Sequence, residues 1–215
     1  MNVTWPDIIV LAAVIYSIVL HELAHALVAF WCGDKTGRDL GRITLNPIPN
    51  ISLIGSILVP IIVMLQAGLV FGWAKPVPVV PANYRRLVLG DILVSMAGIV
   101  MNLLIAFLML VVAKILLRTE VATRGDAELD IVQKIAQWNV LLVLLNLIPI
   151  PPLDGHHVAK YLLPRRLRGP YQSLGFAGLV IVVILMIWQG HRLHLAIRTV
   201  LRWIADFVNL LFGGG

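Results

Sequence analysis

The sequence predicts an all-α polytopic membrane protein, and three observations carry that prediction. Of its 215 residues, 60% are hydrophobic and only 13% are charged, with a mean hydropathy of +0.93. A soluble domain carries about 25% charged residues. Apolar stretches long enough for the roughly 20 residues that cross a bilayer recur along the chain. The polar intervals between them stay under about 25 residues, too short for an independent soluble domain of about 50. These features exclude a soluble globular enzyme, a disordered chain and a disulfide-stapled module. One transmembrane domain over 1–215 is expected, built from five to six transmembrane or re-entrant segments. The single cysteine, Cys32, can form neither an intrachain disulfide nor a cysteine-built metal cage. It reads as a small buried residue, so a metal site would need histidine and carboxylate.

Residues 8–31 form the first span. The segment lacks a basic leader, starts beside Asp7 and has no small-residue cleavage site, so it reads as a retained helix rather than a signal peptide. Residues 51–73 contain Gly55, Pro60, Gln66, Gly68 and Gly72, which make a poor straight helix and leave a re-entrant path open. The stretch FGWAKPVPVVP, 71–81, is expected to be extended and offers the other way for the chain to turn back. Residues 89–117, 131–150 and 171–189 are the next apolar segments. In 191–212, His191, His194, Arg198, Arg202, Asp206 and Asn209 recur every three or four positions. That wet stripe predicts a C-terminal amphipathic helix at the membrane interface, with His191 and His194 on its surface.

The basic residues fix an orientation. Lys35, Arg38 and Arg42 follow the first span, Lys75, Arg85 and Arg86 precede the third, and Lys160, Arg165, Arg166 and Arg168 precede the fifth. The interval 118–130 instead carries Glu120, Asp126, Glu128 and Asp130. The positive-inside bias places the first three loops in the cytoplasm and 118–130 with the N-terminus outside. The net charge of +6 is thus explained by helix flanks, with the bilayer as partner and no nucleic acid.

Within the first span, residues 21–25 read His21-Glu22-Leu23-Ala24-His25. Positions i and i+4 share a helix face, so both imidazoles can reach one metal ion with Glu22 beside them, the HExxH pattern of zinc hydrolases. Ionisable groups inside an apolar span cost several kcal/mol unless they line a polar site or bind something. The competing reading makes the histidines interhelical contacts and pairs Glu22 with a buried base, but no Lys or Arg lies in this span. A catalytic zinc takes three protein ligands and keeps one open position. Asp154 is the candidate third ligand. It sits in NLIPIPPLDGHH, 146–157, where Pro149, Pro151 and Pro152 break the helix, and Gly155 allows a tight backbone beside it. A helix N-cap is the plainer role for Asp154. By the charge-based topology, the first span and the fourth both bring these groups toward the cytoplasmic side.

HELAH in a first span with NLIPIPPLDG downstream resembles the site-2 protease family of intramembrane zinc metalloproteases. GRITLNPIPN, 41–50, and FGWAKPVPV, 71–79, resemble its small prokaryotic subgroup without PDZ or CBS domain. The likeness covers about 8–165, the expected catalytic core, with C-terminal helices over 171–212. The family's Gly-Pro-x-x-Asn stretch appears as Gly98-Ile99-Val100-Met101-Asn102, with isoleucine in place of proline.

The resemblance implies that His21, His25 and Asp154 hold one Zn2+ and that Glu22 is the catalytic residue acting on the metal's water. It also implies cleavage in or near transmembrane segments of other membrane proteins, in a prokaryotic inner or plasma membrane, with the active site toward the cytoplasm. Asn102 has two readings, a hydrogen bond to substrate or oxyanion and an interhelical bond. Asn146 has the same two readings, and in the structural one it satisfies the broken backbone near the site. His156 and His157 are expected beside the ligands, since a fourth protein ligand would close the position that catalysis needs. An edge at 71–81 could receive an unwound substrate by strand addition, or be a plain loop. Two other classes stand against the protease: an idle membrane adaptor that keeps the fold, and a metal-binding membrane protein such as a transporter, although the paired repeats usual in transporters are not visible.

Overall fold

The computed structural model describes residues 4–50 and 75–213. Helix α1 (Trp5–Cys32) begins where Pro6 needs no amide partner and where the Asp7 carboxylate accepts from Thr4 N at 3.0 Å and Thr4 Oγ1 at 2.6 Å. A single turn, α2 (Thr36–Asp39), and a short 3-10 turn (Ile48–Asn50) follow. After residues 75–80 and a second 3-10 turn (Pro81–Asn83) come α3 (Leu87–Arg118) and α4 (Ala127–Asn146). The chain ends in α5 (Gly155–Leu162), α6 (Arg165–Gln172), α7 (Gly175–Trp188) and the amphipathic α8 (Gly190–Phe212).

The described residues are helical with no strand, as expected. Residues 75–80 lie outside any helix, while 71–74 and the question of whether 51–73 spans or re-enters fall outside the described residues. Two helices, α1 and α3, are long and apolar enough to cross a membrane, and α6 with α7 makes a third if that pair, bent by 76°, is one span. The described helices therefore do not reach the expected five to six. Helix α4 is interrupted by Gln133, Lys134, Gln137 and Asn139, and α8 by Arg192, Arg198, Arg202 and Asp206. Such polar positions lower mean hydropathy below that of a simple crossing helix.

Helices α1, α3 and α4 pack on one another and form the core. Val10 and Val14 of α1 close against Ile131 and Ile135 of α4. Deeper in the same seam, Asn139 is fully buried and donates to Ser17 Oγ at 3.1 Å and to Ile135 O at 2.9 Å. Interhelical bonds of this kind contribute about 0.6–2 kcal/mol. Val100, Leu104 and Leu108 of α3 are exposed in the isolated chain, which is the surface a lipid-facing helix presents. Helix α8 lies along α3 and α4, with Val208 buried, Phe107 and Phe207 6.0 Å apart between ring centres, and Lys114 Nζ donating to Asn209 Oδ1 at 2.6 Å. His191 and His194 are exposed, as expected, whereas Cys32 is half-buried rather than buried.

One buried acid ties the irregular segment 75–83 to the end of α1. Asp34, 1% exposed, accepts from Val80 N at 2.7 Å, from Asn83 Nδ2 at 2.9 Å, and from Thr36 N at 3.1 Å and Thr36 Oγ1. Burial raises its pKa, but the hydrogen bonds from Asn83, Thr36 and Val80 outweigh that effect and hold the carboxyl below its ordinary range. Replacing Asp34 with Ala strands these donors. The change is expected to cost about 2–3 kcal/mol of stability, read as a lowered Tm of the detergent-solubilised protein, with faster proteolysis between Lys75 and Asn83.

Candidate metal centre

His21 and His25 lie one turn apart on the buried face of α1, and the chain that leaves α4 returns Asp154 to them. Nε2 of His21 and Nε2 of His25 are 2.9 Å apart, and Asp154 Oδ2 stands 3.2 Å from the first and 3.4 Å from the second. These three are the candidate ligand cluster found among the described residues. Asp154 does occupy the N-cap position of α5, but its side chain makes no capping bond. The carboxylate turns to the imidazoles instead.

Helix α3 contributes no ligand, yet it sets both imidazoles. His25 Nδ1 is 2.6 Å from Val94 O. A carbonyl only accepts, so Nδ1 carries the proton and Nε2 presents a lone pair. His21 Nδ1 faces the amide of Asn102, whose Nδ2 lies 3.2 Å away and whose Oδ1 is buried without a partner. The two ends of an amide exchange by a flip. With Oδ1 turned to His21, it accepts from Nδ1–H and His21 Nε2 also becomes a lone pair, while the amide nitrogen takes the position without a partner among the described residues. Between these contacts stands Gly98. A Cβ there would lie 2.5 Å from both His21 Nδ1 and His25 Nε2, so only glycine lets α1 come this close to α3.

This donor set fits a metal ion. Three electron-rich atoms face one another, and Asp154 Oδ2 is buried with no hydrogen-bond donor among the described residues. Mutual repulsion of that kind is relieved by a cation at their centre. Tetrahedral zinc with bonds of about 2.0–2.1 Å separates its ligand atoms by about 3.3–3.4 Å, close to the two carboxylate–imidazole distances above.

Glu22 projects from the same turn into an adjoining cavity of about 200 Å³, lined also by His25, Val77, Asp91, Asp154 and His157. Its Oε2 accepts from Val77 N at 2.9 Å, which ties the acid to the irregular segment. Among the described residues Oε1 has no donor. A cavity of this size has room for several waters at roughly 30 Å³ each.

The remaining expected residues divide. Asn102 is 1% exposed and lies behind His21, so its observed contact is with an imidazole. Asn146 ends α4 half-buried and does not join the cluster. His156 Nδ1 donates to Leu153 O at 2.6 Å, while His157 reaches the cavity wall. Sequence reasoning missed Asp91, which is 2% exposed and takes His157, Lys160 and Tyr161 as partners. Its signal was the one that exposed Glu22, an acid within an apolar helix, but its place beside Arg85 and Arg86 gave it the look of an interfacial residue. Gly155 is needed because a Cβ there would meet Leu147 O at 2.6 Å and Ile148 O at 2.7 Å, where the helix-breaking prolines fold α5 back onto the end of α4. A Gly98→Ala substitution is expected to push the imidazoles apart and lower metal affinity at least tenfold, measured by elemental analysis after dialysis against a weak chelator.

Comparison with known proteins gives the family. The profile of "Peptidase family M50" matches residues 123–190. A Bacillus subtilis (strain 168) protein named "Putative zinc metalloprotease YwhC" is 38% identical over 176 residues, covering 80% of this chain and 77% of its own. "Putative zinc metalloprotease Rip2" of Mycolicibacterium smegmatis is 30% identical over 211 residues, covering 95% of this chain and 73% of its own. No solved structure matches the chain. The chain belongs to peptidase family M50, the site-2 protease family that its motifs resemble.

Proposed function

We propose that this protein is an intramembrane zinc metalloendopeptidase that hydrolyses peptide bonds in or near transmembrane segments of membrane-protein substrates. The observation that carries the reading is the convergence of two imidazole Nε2 atoms and a buried carboxylate oxygen that has no hydrogen-bond partner among the described residues, beside a cavity that Glu22 lines. His21, His25 and Asp154 hold the zinc. When bound, zinc polarises the scissile carbonyl and lowers the pKa of water toward neutrality.

The chain's own residues supply the rest. Glu22 takes a proton from the attacking water at Oε1, the oxygen that Val77 leaves free, and delivers it to the departing amine nitrogen. Val77 N–H fixes the carboxylate's orientation through Oε2. Val94 and Asn102 hold the imidazole tautomers that leave both Nε2 atoms free for metal. The α1–α3 seam keeps lipid away from the polar groups, while the cavity beside Glu22 admits water. A substrate helix must unwind locally before attack, because its peptide groups are already hydrogen-bonded internally. The basic loops argue for a site toward the cytoplasm, and the likeness to the small prokaryotic subgroup for a prokaryotic plasma membrane.

Two variants test this reading. Glu22→Gln is expected to keep zinc bound while lowering cleavage by about 10²–10⁴-fold, seen as uncleaved substrate when single-span proteins are co-expressed with wild type or variant. Asp154→Ala is expected to reduce bound zinc by elemental analysis. Full cleavage by the first variant, or unchanged metal in the second, contradicts the assignment.

A further inference from the structure

Helix α5 holds the acid of the cluster at its N-cap position, and among the described helices it packs chiefly against α3 and its neighbour α6. Among the described residues its polar contacts with α3 converge on one carboxylate. Asp91 Oδ1 accepts from His157 Nδ1 at 2.9 Å, and Oδ2 takes Tyr161 OH at 2.8 Å and Lys160 Nζ at 2.5 Å. His157, Lys160 and Tyr161 occupy positions i, i+3 and i+4, one face of α5. Lys160 offsets the acid's charge where both are buried, at 2% exposure for Asp91 and 9% for Lys160.

The position of Asp91 on α3 gives this fastening a meaning beyond an ion pair. Asp91, Val94, Gly98 and Asn102 fall at i, i+3, i+7 and i+11, a single stripe. Val94 and Asn102 orient the imidazoles, Gly98 gives them room, and Asp91 holds the helix that carries the third donor. We propose that Asp91 is a positioning residue that sets Asp154 against His21 and His25 by clamping α5 to α3. The inference rests on the zinc peptidase reading. It assigns Asp91 a task that reaches the metal through Asp154 alone, since the imidazoles keep their own contacts with α3.

That selectivity is testable by a double-mutant cycle. Removing Asp91 alone strands the Lys160 charge and risks unfolding, so the clamp is removed with Asp91→Leu and Lys160→Met together, in the full chain in detergent. Zinc affinity is measured by competition with a chelating indicator. In the otherwise wild-type chain, loss of the clamp is expected to weaken zinc binding at least tenfold, the scale for groups that orient metal ligands. In the Asp154→Ala background the same pair of changes is expected to cost nothing further. Unchanged affinity on removing the clamp, or an equal loss in both backgrounds, overturns the positioning role and leaves Asp91 a structural ion pair. Absence of zinc from the wild-type protein instead overturns the peptidase reading, and with it the task given to Asp91.

Discussion

The close approach of α1 to one face of α3 is the constraint on which the rest depends. Both helices are long and apolar enough to cross a membrane. In that setting a polar atom without a partner costs several kcal/mol. His21 and His25 meet this demand with an amide and a backbone carbonyl of α3, on the ring side away from Asp154. Gly98 sets the separation at which those bonds can form, because any larger residue there would occupy the space of the imidazoles. With the Asn102 oxygen turned to His21, both tautomers follow from contacts with α3, and the lone pairs that face Asp154 follow from the tautomers.

The acid arrives by a different route. Prolines end the helical path after α4, Gly155 folds the chain against the Leu147 and Ile148 carbonyls, and a short helix begins with Asp154 at its N-cap position. An eight-residue helix has little stability of its own, so its placement must come from tertiary contacts. Asp91 supplies them from the same α3 stripe. In the proposed enzyme a helix without a single metal ligand therefore determines how all three are held. The glutamate is tied independently, through Val77 N–H and a segment that Asp34 anchors.

Scarcity of charge made part of this legible in the sequence. Glu22 and the two histidines stood out because an apolar span has no ordinary use for them, and Asp154 because it followed a helix broken by three prolines. His21, His25 and Asp154 bring their ligand atoms within 4.8 Å of one another. Other parts were illegible for identifiable reasons. Asp91 begins a span next to two arginines, and only tertiary structure shows that its partners come from α5. The Val77 amide has no side-chain signature at all. Asn102 was readable as polar within a span, but whether it faces a substrate or an imidazole depends on helix rotation, which composition does not encode. The count of crossings was read from apolar stretches, but α4 spends a polar residue, Asn139, on Ser17 inside the bundle, and the stretch 51–73 lies outside the described residues.

The central claim is that two neutral imidazoles and one carboxylate, and no other protein group, hold a single zinc with one position left open. Zinc X-ray absorption on the purified, active protein tests it most directly. The account predicts four light-atom neighbours at about 2.0–2.1 Å, with the outer-shell scattering of two imidazoles and no sulfur. A sulfur neighbour, a six-oxygen shell, or the signature of one imidazole or three would contradict it.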